Sequence, residues 1–140
     1  MRLLLALALV GLFAVPTRTE AQEAEKWDGV NWYRIVHVDF HNGKTGDARR
    51  IIEEHYMPAV DDAGTPGPDM LLWHETGEWD LTIIWSMKEG PASMEWRRSP
   101  DNVKWWKSFS EREGGDEAAE LIQKEYSALV ARSTSYIARS

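Results

Sequence analysis

The sequence predicts an α+β fold in which four strands form one antiparallel sheet and the helices cover one of its faces. Two regions alternate apolar and polar residues with period two, which is typical of strands that are buried on one side. After each of these regions, apolar residues recur at helical spacing. The resulting order of elements, β-α-β-β-α-β, is that of the split βαβ arrangement.

The first strand is predicted over residues 32–40, which read WYRIVHVDF. Its helix-facing side carries Trp32, Val36, Val38 and Phe40, with Arg34 as the one charged exception, and its other side carries Tyr33, Ile35, His37 and Asp39. After a turn at residues 41–44, Thr45 is the predicted N-cap of a helix that ends near Gly64. Pro58 removes one backbone hydrogen bond, so we expect a kink there.

A hairpin is predicted from strands at residues 70–74 and 79–87, joined by a three-residue loop with Gly77 in the left-handed region. This loop places Trp73 opposite Trp79. It also groups the apolar side chains on one face, namely Leu71, Trp73, Trp79, Leu81, Ile83 and Trp85. The opposite face is mixed and carries Leu72, His74, Asp80, Thr82, Ile84 and Ser86.

The C-terminal third is predicted to be mainly helical. A helix begins at residues 91–98, Pro100 interrupts it, and a second segment follows over residues 101–111. After the break at Gly114, Asp116 is the predicted cap of a further helix, whose apolar side is formed by Leu121, Ile122, Leu129 and Val130. Residues 133–139 alternate weakly and predict a closing strand.

The first 21 residues have the pattern of a secretory signal peptide. Arg2 precedes an apolar run from Leu3 to Val15, which is shorter than the ~20 residues of a membrane-spanning helix. We predict cleavage after Ala21 and export to the periplasm or the medium, with an uncleaved N-terminal anchor as the alternative. Residues 22–140 then form one domain.

Composition excludes several classes of protein. The chain of 140 residues has a net charge of −7, and loss of residues 1–21 removes Arg2, Arg18 and Glu20, which leaves −8. We therefore expect no nucleic-acid partner, and no membrane partner after cleavage. Because the sequence contains no Cys, disulfides, thiolate nucleophiles and thiolate metal sites are excluded.

Three segments resemble the dimeric α+β barrel superfamily, in which two ferredoxin-like protomers join sheet to sheet around a cavity. They are the opening strand YRIVHVDF, the helix RRIIEEHYMPAVDDAG and the hairpin LLWHETGEWDLTIIWSM. The helix, with His55 and Pro58 in a His-x-x-Pro pattern, is similar to that of NIPSNAP-like and EthD-like members and of L-rhamnose mutarotase. The resemblance implies a homodimer formed through the sheet faces, a cavity for a small, partly apolar ligand, and a histidine in that cavity.

The candidate catalytic residues are His55, His37 and His74, because imidazole exchanges protons near neutral pH. His55 falls on the sheet-facing stripe of the first helix, where a structural role at the edge of the core is the alternative. His37 and His74 fall on the mixed sheet face. The candidate ligand-binding residues of that face are Tyr33, Asp39, Leu72, Thr82 and Ile84.

The sequence HVDFH leaves a metal site open, because His37, Asp39 and His41 are of the ligand types that zinc and non-haem iron prefer. His41 lies where the strand turns, so ordinary polar residues or a metal-free acid–base pair are the alternatives, and we expect no metal and no cofactor. Trp96, Trp105 and Trp106 either line a cavity mouth or fasten the helical region to the sheet.

Two functions remain open. The first is an exported protein that binds a small, partly apolar molecule in a cavity on the mixed sheet face. The alternative is a cofactor-independent isomerase or monooxygenase of the barrel type, which uses a cavity histidine as acid and base. The fold does not decide between them, because it hosts many chemistries.

Overall fold

The structure is a computed structural model that describes residues 23–140. Four strands form one antiparallel sheet in the order β2-β3-β1-β4: β1 Trp32–Phe40, β2 Met70–Trp73, β3 Leu81–Ser86 and β4 Val130–Arg139. The predicted α+β class with a four-stranded antiparallel sheet is confirmed. The predicted signal peptide and its cleavage site lie outside the described residues. Within the described residues, no helix has the length and apolar character needed to cross a membrane.

The first helical region differs from the prediction in its middle. Helix α1 spans Thr45–Ile51, a π-helical turn follows over Ile52–Tyr56, and α2 continues over Met57–Ala63 to Gly64, which has a positive φ of 61°. The π turn ends two residues before Pro58, whose ring in a regular α-helix would clash with the carbonyl four residues earlier. The wider turn accommodates the proline ring in the region where we expect a kink. The N-cap is Lys44, so Thr45 is the first helical residue and not the cap.

Beyond the hairpin, a 3₁₀ turn at Gly90–Glu95 replaces the helix predicted over residues 91–98. Helix α3 spans Pro100–Glu113, and the Oγ of its N-cap, Ser99, accepts a hydrogen bond from the backbone N–H of Asn102 at 3.2 Å. Helix α4 spans Asp116–Leu129 and is capped by Gly115, so Asp116 is the first helical residue and not the cap.

One face of the sheet packs against the helices. The central cluster joins Val38, Phe40, Leu81 and Ile83 of the sheet to Ala48, Ile51, Ile52 and Leu129 of the helical regions. A second cluster lies between the helices, where Ala59, Phe109 and Ala119 are fully buried. Leu121, predicted to face the core, is 61% exposed because it lies on the outer side of α4.

The hairpin register differs from the prediction by two residues. Trp73 pairs with Leu81, and the backbone N–H of His74 donates to the carbonyl of Asp80, so residues 75–79 form the connection. A shift of two preserves which side chains share a face. Leu71, Trp73, Leu81, Ile83 and Trp85 accordingly face the helices as predicted. Trp79 does not, because it lies in the connection and turns to the other face.

Candidate functional site

The sheet face that the helices leave uncovered, here called the open face, carries most of the predicted site residues. Cross-strand pairing places their side chains together, because directly opposed residues point to the same side of a sheet. The predicted site residues on this face are His37, His74, Tyr33, Asp39, Leu72, Thr82 and Ile84. Strand β4 adds Arg132, Thr134, Tyr136 and Ala138.

A hydrogen-bonded His–Thr–His network lies at the centre of the open face. Thr82 is only 5% exposed, and its Oγ1 lies 2.7 Å from Nδ1 of His37 and 2.7 Å from Nε2 of His74. A hydroxyl group has one proton to donate, so Thr82 donates to one ring and accepts from an N–H of the other. The network therefore connects two proton-exchanging groups through one buried hydroxyl.

Aromatic and charged side chains surround this network. The ring of His37 stacks on Trp79 with 5.6 Å between centroids and meets the edge of Tyr136 at 5.8 Å. The guanidinium of Arg132 lies over the Trp79 ring at 4.4 Å and pairs with Asp39 at 3.1 Å and Glu78 at 2.8 Å. These hydrogen bonds raise the pKa of Arg132 above its usual value. The carboxylate of Asp39 is therefore paired with the guanidinium of Arg132.

His55 lies apart from the other two candidate histidines. Its Nδ1 is 2.8 Å from Oε1 of Glu113 at the end of α3. His55 therefore faces the helices, whereas we expected it to face the sheet. The π turn accounts for this difference, because it rotates the following side chains relative to a regular α-helix. The three candidate histidines therefore do not share one pocket in this chain.

The described residues contain no group of three or more His, Asp or Glu side chains arranged to hold a metal ion. His41 is exposed in the turn after β1, and its backbone N–H and carbonyl bond to Leu129 and Lys44. His41, the third candidate ligand of the metal site, therefore lies beyond the end of strand β1.

A cavity of about 330 Å³ lies on the opposite side of the sheet, between the sheet and the helices. Its lining is mainly apolar and combines the π turn, the loop at residues 65–68, strand β3 and helix α3; it includes Ile52, Tyr56, Met57, Val60, Leu71, Ile83, Trp85, Trp105 and Tyr126. We expected a cavity on the mixed face. This cavity lies instead on the helix side.

Two tyrosines, Tyr56 and Tyr126, line this cavity. Neither Tyr56 nor Tyr126 makes a side-chain hydrogen bond to another described residue. Burial raises the pKa of the Tyr56 hydroxyl well above its usual value, with smaller contributions from Tyr126 and Glu125, and burial also raises the pKa of Tyr126. Both groups are protonated at neutral pH, as tyrosine ordinarily is, and can donate a hydrogen bond to a bound molecule.

The sequence interpretation missed these tyrosines because helical aromatic residues are more often core than site. Trp105 combines both roles left open for it: it stacks on Phe109 at 4.9 Å and lines the cavity. Trp106 donates to Asp116 at 3.2 Å and packs against Phe109, and so fastens α3 to α4.

No protein-family model matches the chain, and no curated protein matches it. Solved structures do. The chain is similar to Atu4242 from Agrobacterium tumefaciens, described as a NIPSNAP family protein of unknown function, with a TM-score of 0.51, 13% identity, and coverage of 79% of this chain and 87% of that chain. A NIPSNAP family protein, Atu5224, from the same organism gives a TM-score of 0.50, 13% identity, and coverage of 78% and 90%. At this identity the similarity shows a shared fold, and it confirms the resemblance to NIPSNAP-like proteins at that level.

Proposed function

We propose that this chain, which shares its fold with NIPSNAP family proteins, binds a small, mostly apolar molecule in the cavity between the sheet and the helices. The observation that carries the proposal is the cavity of about 330 Å³ with a mainly apolar lining that includes Tyr56 and Tyr126. Ligand pockets typically have volumes of roughly 300–1,000 Å³ and combine an apolar wall with a few polar groups.

The chemistry of the lining favours a ligand with an uncharged body and an oxygen or nitrogen acceptor. Apolar walls such as Ile52 and Trp105 favour an apolar body, because its transfer from water is favourable. Tyr56 and Tyr126, protonated at neutral pH as tyrosine ordinarily is, offer O–H donors to an acceptor such as a carbonyl group.

The test uses N-phenylnaphthylamine, an uncharged dye that becomes fluorescent in apolar surroundings. Val60 lines the cavity from α2, so Val60→Phe is expected to fill part of it and to weaken dye binding at least tenfold. Val103→Phe is the matched control, because Val103 is 52% exposed on α3 and lies outside the cavity lining. Equal binding by both variants, or no binding by the parent protein, would refute the proposal.

We also propose that the strands and helices form the split βαβ arrangement of the ferredoxin-like fold, and that two copies join through their open faces into an α+β barrel. Several large apolar side chains of this face are exposed, with Met70 at 49%, Leu72 at 44% and Tyr136 at 54%. The charges beside them are paired within the protomer, since Arg132 binds Asp39 and Glu78. Burial of this face in a dimer would therefore bury these three charges as partners of one another and not as isolated charges.

Light scattering after size exclusion tests the dimer. Leu72→Arg places a charge on the open face and is expected to give the mass of a single chain, because burying an unpaired charge is costly. Leu121→Arg, the same change on the 61%-exposed outer side of α4, is expected to leave the dimer intact. A parent protein that is already monomeric at micromolar concentration would contradict the proposal. The cavity expected on the mixed face would form between the two copies.

We propose export on the basis of the first 21 residues alone. Mass spectrometry of the protein recovered from the periplasm or medium is expected to give a chain that begins at Gln22. Recovery of only the uncleaved chain would favour the N-terminal anchor.

The His–Thr–His network favours a second candidate function, a cofactor-independent isomerase or monooxygenase. Thr82 connects His37 and His74 at 2.7 Å each, a geometry suited to passing a proton between two groups. If the open face encloses the reaction, His74→Gln would abolish turnover of a candidate substrate and leave its binding unchanged. An unchanged rate would remove His74 from the mechanism.

A further inference from the structure

A second cavity, of about 540 Å³, adjoins the first at the end of the sheet. The two cavities share five lining residues, namely Pro66, Gly67, Trp85, Asp101 and Asn102. The shared residues indicate that the cavities meet beside Trp85. The second one is more polar, because the turn after β3 and the start of α3 border it.

Arg34 lines this second cavity, and its position is unusual. It is the one charged residue on the helix-facing side of β1, where its cross-strand neighbours are Trp85 and Ile137. Its Nε donates to Oγ of Ser135 at 3.3 Å, which orients the guanidinium. Among the described residues, no carboxylate lies within ion-pair distance of Arg34, so both terminal amino groups are available.

We infer that the ligand of the first cavity, here called the helix-side cavity, is an apolar molecule with one anionic group, such as a carboxylic acid. In this inference the second cavity is the mouth of the first, and Arg34 binds the anion there. This inference rests on the proposed function. The terminal amino groups of an arginine match the two oxygens of a carboxylate and form charge-assisted hydrogen bonds with them. The apolar body then extends past Trp85 toward Tyr56 and Trp105.

The other charges of the mouth set the strength of this preference. Arg34 and Lys88 give the second cavity two positive charges, and Glu89 and Asp101 give it two negative ones, so its lining has no net charge. Asp101 belongs to the first turn of α3, where the helix dipole partly offsets a negative charge. The selectivity for anions therefore depends on the geometry of Arg34 and not on the overall field.

The test compares two dyes with the same apolar body. Anilinonaphthalenesulfonate is N-phenylnaphthylamine with an added sulfonate, which stands in for the anionic group. We expect the parent protein to bind the sulfonate at least tenfold more tightly than the uncharged dye. Arg34→Gln is expected to remove this difference and to leave the affinity for N-phenylnaphthylamine unchanged.

Arg98→Gln is the matched control, because Arg98 is exposed and lines neither cavity. It is expected to change neither affinity. Asp101→Asn is expected to tighten sulfonate binding, since it removes a like charge.

Equal affinity of the parent for both dyes, or an equal loss of both in Arg34→Gln, would overturn the inference while the cavity proposal stands. Failure of the uncharged dye to respond to Val60→Phe would instead overturn the cavity proposal itself.

Discussion

The Thr82 hydroxyl offers a direct test of the network on the open face. Thr82→Val keeps the shape of the side chain but removes the group that both imidazoles contact at 2.7 Å. One intramolecular hydrogen bond makes a net contribution of roughly 0.5–1.5 kcal/mol to the free energy of unfolding. His74 is exposed, so water replaces its lost partner, whereas His37 is half-buried between Trp79 and Tyr136. We therefore expect a loss of about 1–2 kcal/mol in the free energy of unfolding.

Equilibrium unfolding in urea at a fixed protein concentration measures this loss, because oligomerisation would otherwise change the apparent stability. Thr134→Val is the matched control. Thr134 pairs with His37 on the same face, but its side chain makes no hydrogen bond to another described residue. The control should lie within about 0.5 kcal/mol of the parent protein. If the two variants have equal stability, the network contributes nothing, and the reasoning fails.

Three further predictions concern the helical side. Folding raises the pKa of Tyr56, so the unfolded state loses this proton at a lower pH than the folded state, and the free energy of unfolding falls above about pH 10. Tyr56→Phe should reduce this alkaline loss, by less than about 1.4 kcal/mol per pH unit because solvent screens the partly buried side chain. Urea unfolding at pH 8 and pH 11 would measure the difference. Equal losses in both proteins would contradict this. Phe109→Ala should cost about 3–5 kcal/mol in urea unfolding because Phe109 is fully buried, whereas Val103→Ala should cost under about 0.5 kcal/mol. Ser99→Ala should cost about 1 kcal/mol through loss of the α3 cap, whereas Ser99→Asp should not, and equal unfolding midpoints would count against the cap.

The strands were predictable because their pattern depends only on alternation. Strand β1 begins and ends at the predicted residues, although its register with β4 shifts between Asp39 and Phe40. The hairpin register was not predictable from alternation alone, because a shift of two residues leaves the pattern unchanged. Contacts from a different strand tie Asp80 to β1: its N–H donates to Val38 and its carboxylate accepts from the N–H of Phe40 at 2.8 Å. These contacts lengthen the connection and release Trp79 to the open face.

The helical site was less predictable, because a π turn is not visible as a change of composition. Ile51 and Ile52 lie before or at its start and face the sheet as predicted. His55 and Ala59 follow and face α3 instead. A periodicity of 3.6 residues that is extrapolated across such a turn assigns the wrong face to every later residue. Apolar spacing also indicates which side of an element is buried, but it does not indicate how completely the neighbouring elements fill the space, so the cavity could not be located.

The two candidate sites lie on opposite faces of strand β3, at two adjacent residues. Ile83 lines the helix-side cavity, while Thr82, its neighbour in sequence, holds the His–Thr–His network on the other face. Because successive side chains of a strand point to opposite faces, a change in one site need not alter the other. We therefore expect Val60→Phe to weaken dye binding without changing the molecular mass, and Leu72→Arg to change the mass without weakening the binding of dye. If both variants change both properties, the sheet transmits the effect between its faces, and the ligand cavity and the proposed dimer interface act as one site.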